Sequence, residues 1–186
     1  MEVDYEDISN AAFMAFSTKA TSDKAKQLVV EVLQLLQQSE QRTRKRKATD
    51  QDSFELGVEL VVSDLLSALA NERSSWVYRS MFRNTFSGEP IGADTFNKIV
   101  NLIQDNDLLE TQKGGNVTNP FYDPSTGSPK FNPGKARRFR PSEALVSLAA
   151  SYDINSDNFY DHFTVSLPKK PIRLRAAKGK FRSRMD

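Results

Sequence analysis

Residues 74–82, SSWVYRSMF, followed by SGEPIG (87–92), ADTFNKIVNLIQDN (93–106), LLETQKGG (108–115) and KARRFRP (135–141), decide the reading of this chain. SSWVYRSMF can form a short helix, carried by Val77 and Met81 with Trp76 and Phe82 beside them. SGEPIG is a connector. In the next stretch Phe96, Ile99, Val100 and Ile103 recur at i, i+3, i+4 and i+7, the spacing of one helical face. KARRFRP reads as a short strand with Arg138 and Arg140 on one side and Phe139 on the other. Helix, connector, helix, strand, long loop and basic strand is the order of a winged helix-turn-helix, in which one helix enters the major groove and the hairpin loop lies against flanking backbone. The expected fold is mainly α with a small β-hairpin, an N-terminal helical extension and a basic C-terminal tail.

Working toward the N-terminus, FELGVELVVSDLLSALANE (54–72) is expected to be the first helix of that domain, with Val58, Val61, Val62, Leu65 and Leu69 buried. The polar run QSEQRTRKRKATDQDS (38–53) is the likeliest internal boundary, as a solvated helix end or a loop. Its cluster Arg42, Arg44, Lys45, Arg46 and Lys47 suits a linker, a nuclear signal or a phosphate clamp. Upstream, SDKAKQLVVEVLQLLQQSEQR (22–42) is a helix capped by Ser22 or Asp23. Its apolar stripe of Leu28, Val29, Val32, Leu35 and Leu36 either packs on the domain or forms the seam of a homodimer. DISNAAFMAFSTKA (7–20) reads as a short helix or a docking arm.

Toward the C-terminus, SEALVSLAASYD (142–153) is a further helix with Ser142 as N-cap and Leu145, Leu148 and Ala149 inward. Phe159, Tyr160 and Phe163 can tuck onto the domain, and the tail beyond is Pro-broken and basic. The division expected is a helical extension over 1–49, a winged-helix domain over 50–165 and a flexible tail over 166–186.

Net charge is only +2, yet it is segregated: Met1 to Ile8 holds four acids and no base, while Lys169 to Arg184 holds eight bases and no acid. An anionic partner feels such local charge rather than the total. There is no cysteine and a single histidine, His162, so thiol chemistry is absent and the supply of metal ligands is poor. No phosphate-binding glycine motif and no paired carboxylates in a recognisable site context occur. No enzyme and no cofactor are expected, and His162 is expected at the surface or in an interface. The acidic N-terminus is not a signal peptide and no apolar run reaches membrane-span length, which points to a soluble intracellular protein; as a DNA-binding protein it would be cytoplasmic and associated with the nucleoid.

If Phe96, Ile99, Val100 and Ile103 face inward, Thr95, Asn97, Lys98, Asn101 and Gln104 face outward, with Asp94 in the first turn. Asn and Gln suit adenine, Lys suits guanine or phosphate, and Asp can accept from cytosine. Arg79 and Arg83, one turn apart, with Ser74 and Ser75 at the start of their helix, suit phosphates. The loop GGNVTNPFYDPSTGSPKFNPGK (114–135) is longer than a hairpin requires, and Phe121, Tyr122 and Phe131 can anchor it or stack. Lys113, Lys130, Lys135, Arg137, Arg138 and Arg140 supply basic contacts along and beside it.

WVYRSMFRNTF (76–86), IGADTFNKIVNLIQDNDLLE (91–110) and ARRFRPSEALVSLAASYDI (136–154) resemble the winged-helix region of replication-initiator-type proteins of bacterial plasmids and other mobile elements. LPKKPIRLRAAKGK (167–180) is similar to a Pro-x-x-Leu-Arg stretch that leads into a following domain in such proteins. The resemblance spans about residues 74–180. It implies an origin-binding protein of double-stranded DNA, complete in itself or the N-terminal part of an initiator, with replication or transcription machinery as partners. A transcriptional regulator and a winged-helix protein-interaction module are the alternatives. Asp107 departs from the pattern, standing where such domains often carry Gly at the turn into the strand.

Overall fold

The computed structural model describes residues 10–40, 46–79, 91–112, 122–123, 128–129 and 137–165. Five α-helices and eight short strands occur among them, so the chain is mixed α and β. The helices are α1 (Asp23–Ser39), α2 (Ala48–Ser67), α3 (Ala93–Asp105), α4 (Glu143–Ser151) and α5 (Phe159–His162). The strands are β1 (Ala12–Phe13), β2 (Thr18–Ala20), β3 (Val77–Tyr78), β4 (Leu109–Gln112), β5 (Tyr122–Asp123), β6 (Ser128–Pro129), β7 (Arg138–Pro141) and β8 (Phe163–Val165). A four-stranded sheet runs β1-β3-β7-β4, and β2-β8 and β5-β6 are separate pairs.

The helices with capping signals form where the sequence places them. Ser22 caps α1 by accepting from the Ala25 N–H at 3.1 Å, and Ser142 caps α4 by accepting from Leu145 N–H at 3.3 Å. α2 starts at Ala48, so the last part of the polar segment, 48–53, is a helix start, while residues 41–45 lie outside the described residues.

SSWVYRSMF does not begin a helix. Val77–Tyr78 is strand β3, antiparallel to β7 with Val77 opposite Phe139 and Tyr78 opposite Arg138. β-Branched and aromatic residues fit a pleated surface, and the spacing of Val77 and Met81 suits a helix as readily in so short a stretch. Residues 80–82 of that stretch lie outside the described residues. The expected lone hairpin is therefore part of a larger sheet.

Residues 10–20 supply a docking arm rather than a helix, and 7–9 lie outside the described residues. β1 adds to β3 in parallel, with the Ala12 N–H donating to Trp76 O (2.9 Å) and Met14 N–H to Tyr78 O (2.8 Å). The arm then turns at Phe16, whose φ of 51° lies in the left-handed region. The Asp64 carboxylate on α2 accepts the Phe16 N–H at 2.9 Å and so supports this costly conformation. β2 continues antiparallel to β8, pairing Thr18 with Val165.

One hydrophobic cluster runs from Met14 to Phe163 and includes Leu28, Val29, Val32 and Leu36 of α1 together with Phe54, Val61 and Leu65 of α2, Ile99 and Ile103 of α3, and Phe159. No break in this core falls between residues 49 and 50. The stripe proposed as a dimer seam is spent within the chain: Leu28, Val32 and Leu36 are fully covered, Val29 is buried and Leu35 is half-buried against the same cluster. Phe159 and Phe163 are stacked at 4.7 Å and buried, so the segment after α4 belongs to the core. No helix among the described residues is long and apolar enough to cross a membrane.

Candidate nucleic-acid interface

Helix α3 is seated by four apolar side chains, Phe96, Ile99, Val100 and Ile103, all buried. It lies close to α2 because Gly57 lacks a side chain; a Cβ there would stand 2.5 Å from Ile99 Cδ1. Phe96 meets Phe16 and Phe139 edge-to-face at 5.7 and 5.9 Å, which keys α3 to both the N-terminal arm and β7.

The C-terminus of α3 closes in a Schellman turn. The Asp107 N–H donates to Gln104 O at 2.9 Å and Leu108 N–H to Ile103 O at 3.0 Å, with Asp107 at φ 57°. The position where Gly was expected is thus a left-handed one, occupied here by Asp. The chain then passes directly into β4, which pairs with β7 from Leu109↔Pro141 to Gln112↔Arg138.

Asn97, Lys98, Asn101 and Gln104 are exposed on the outer face of α3, and so are Asp94 and Asp105. Thr95 is half-buried, with its methyl directed at Gly57, and is not part of the free face. Two polar ties flank the face. Lys98 Nζ lies 2.8 Å from Glu40, whose two carboxylate oxygens also accept from a single nitrogen of Arg46, Nη2, at 2.6 Å each. Arg46 stacks 3.7 Å over the Phe54 ring, and its side chain and that of Glu40 are each 8% exposed. On the other flank Arg137 Nη2 donates to Gln104 Oε1 at 3.2 Å. Asn106 Nδ2 donates to Ser39 Oγ at 2.8 Å and ties the end of α3 to α1.

The arginines of the hairpin are deployed differently from the expectation. Phe139 faces the core, as alternation requires, but Arg138 is buried too, its guanidinium 4.9 Å over the Tyr78 ring. Burial pushes its pKa down, opposed by the charge of Tyr78. Arg140 pairs with Glu110 across the strands and sits 4.7 Å over Trp76, half-buried. Strand β3 and the residue before it account for both, because Tyr78 and Trp76 cover this side of β7. Arg138 is therefore covered by an aromatic ring rather than standing on an open face of the strand, and Arg140 is partly neutralised by Glu110. Arg79 lies 4.9 Å over Phe96 and is likewise engaged with the aromatic core.

Ser75 is exposed, whereas Ser74 is buried and accepts from Trp76 N–H at 3.1 Å. Arg83, Lys113, Lys130 and Lys135 lie outside the described residues, as do Arg42, Arg44, Lys45, Phe121, Phe131 and the basic tail. His162 is half-buried, with Nδ1 2.7 Å from Ser22 Oγ at the start of α1.

The residues that meet on α3 are thus Asn97, Lys98, Asn101 and Gln104, with Arg137 beside them. Glu40 and Arg46 complete the Lys98 flank; Arg46 belongs to the basic cluster noted in the sequence, whereas Glu40 carries no local signal there. Charge on the face itself is not basic, since Asp94 and Asp105 outnumber Lys98. The surface offers amide hydrogen bonding at its centre and cations at its flanks. Comparison of the chain with protein-family models, with curated proteins and with solved structures gives no match.

Proposed function

We propose that this chain binds double-stranded DNA in a sequence-dependent manner through the exposed face of α3. In this reading α2, β3, α3 and the β4–β7 pair form a winged helix-turn-helix, with the segment 113–136 as its wing. The observation that carries the proposal is the composition of α3: one face is fully committed to the core, and the other presents two asparagines, a glutamine and a lysine on a rigid helix. Asn97 and Asn101 are one turn apart and fit adenine edges in the major groove. Because the face bears two acids, phosphate neutralisation falls to the flanks, to Arg137 and the lysines of the loop.

The resemblance to initiator-type proteins makes origin recognition the preferred biological role, with transcriptional control of a mobile element as its nearest alternative. The protein-interaction reading loses its main support, because the α1 stripe that would recruit a partner is buried. A dimer on DNA would need a seam other than that stripe.

The test is equilibrium binding to a selected duplex and to random duplex at several salt concentrations. Asn101→Ala should weaken the selected site by about 1–3 kcal/mol and random DNA by much less. Equal losses on the two, or binding insensitive to salt, would refute a base-reading helix.

A further inference from the structure

Lys98 is the only basic residue of α3, and it lies on the exposed face beside Asn97 and Asn101. A lysine in such a place is ordinarily a point charge on a flexible stem, able to follow any phosphate. Here its ammonium stands 2.8 Å from Oε1 of Glu40, the C-cap residue of α1. That carboxylate is itself fixed. Both of its oxygens accept from Arg46 Nη2, and the Glu40 and Arg46 side chains are each 8% exposed. The Arg46 guanidinium in turn lies 3.7 Å over the buried ring of Phe54. One residue before Glu40, Ser39 Oγ accepts from Asn106 Nδ2 at 2.8 Å, so α1 and α3 are tied at a second point. The Lys98 side chain, 43% exposed, is thus the outer end of a stack that begins in the core. Exposed ion pairs are weak because two flexible side chains must be ordered and water screens them. Little of that cost falls on Glu40, which Arg46 has already ordered and burial has withdrawn from water.

We propose that Glu40 is a positioning residue that holds Lys98 to one place on the α3 face and so makes its ammonium selective among DNA sequences. This rests on the DNA-binding reading of α3. A held ammonium keeps further N–H donors for an acceptor that one register of the duplex brings to it. A released ammonium serves whichever phosphate is within reach and strengthens binding to every duplex. The carboxylate therefore works against indiscriminate binding, and discrimination is a difference between affinities.

Binding of the wild type, Glu40→Gln, Lys98→Met and the double variant to a selected and to a random duplex, over a range of salt, tests the idea. In Glu40→Gln the amide oxygen still accepts from Arg46, but the charge that holds Lys98 is gone. Its binding to random duplex should tighten, with a salt slope steeper by about 1 and a smaller selected-to-random ratio. Lys98→Met should weaken the selected site more than random DNA, and adding Glu40→Gln to it should change the ratio no further. A ratio unchanged in Glu40→Gln, or changed as much in the Lys98→Met background, overturns the proposal. Equal weakening on both duplexes in Glu40→Gln marks a purely structural role and overturns it as well. The hold is also read without DNA and without a variant, from side-chain relaxation in the wild type. Lys98 Cε should be more ordered than that of Lys26, exposed on α1, and equal mobility overturns the proposal. Failure to select any duplex over random while Lys98 is held refutes the DNA-binding reading and, with it, the selective role of Glu40.

Discussion

Replacing Asp64 by Asn should change how the stability of this protein depends on pH. Asp64 is 4% exposed on α2, and its carboxylate accepts the N–H of Phe16 in the N-terminal arm. Burial raises its pKa from 3.8 to about 6, against the lowering effect of hydrogen bonds from the Phe16 backbone and the Thr18 side chain. Below pH 4 the group is protonated in both the folded and unfolded chain. Between about pH 4 and 6 the unfolded chain has lost the proton while the folded chain keeps it. Stability from this group is therefore full below the unfolded value and falls as pH rises through the folded one. A shift of roughly two units at 1.36 kcal/mol per unit gives a loss of about 3 kcal/mol as an upper figure. Asn keeps an oxygen for the Phe16 N–H and has no charge to bury. Asp64→Asn should thus be more stable relative to the wild type at pH 7.5 than at pH 4.5, by about 2–3 kcal/mol. Urea unfolding followed by Trp76, the single tryptophan and a buried one, measures the difference at each pH. A wild-type-to-variant difference that stays constant across that range would refute the buried, ionisable account of Asp64.

Two further outcomes are expected. Asp107→Gly relieves a side chain from a left-handed position at φ 57°, so the urea midpoint should rise by the equivalent of about 0.5–1 kcal/mol; a fall would mean that the Asp side chain supports the turn. Leu36→Ala in α1 should cost about 2–5 kcal/mol in the unfolding of the monomer, because this fully covered side chain fills the common core; a loss of dimers at unchanged monomer stability would return the stripe to an intermolecular role.

The elements governed by short-range signals were legible in the sequence. Phe96, Ile99, Val100 and Ile103 define the inward face of α3, and Ser22 and Ser142 cap the helices they precede. That position 107 is a special one was suggested only by the resemblance, in which Gly often stands there. What was not legible depends on partners distant in sequence. Val77 and Tyr78 become a strand because β7 offers them a ladder, and no local pattern announces that. Arg138 alternates correctly with Phe139, but its side of the strand is covered by an aromatic residue of β3, so alternation alone could not mark it as exposed. Likewise, the amphipathic stripe of α1 states that a cover is needed without stating whose. Pairing of Lys98 with Glu40 and of Gln104 with Arg137 follows only from the packed arrangement.

The pairing of β2 with β8 has a consequence for how the chain acquires its structure. Thr18 lies opposite Val165, so an early strand finds its partner only in the last strand described. Contacts of such long range carry a large loop-closure cost and slow the folding of the segments they join. During synthesis the arm around Phe16 can meet Asp64 soon after α2 emerges from the ribosome, but β2 must wait for Phe163 to Val165. Until then the surfaces that Phe159 and Phe163 cover stay open to solvent and to chaperones. Completion of the core thus waits for the synthesis of β8, and chains interrupted before β8 should be preferred targets of proteolysis.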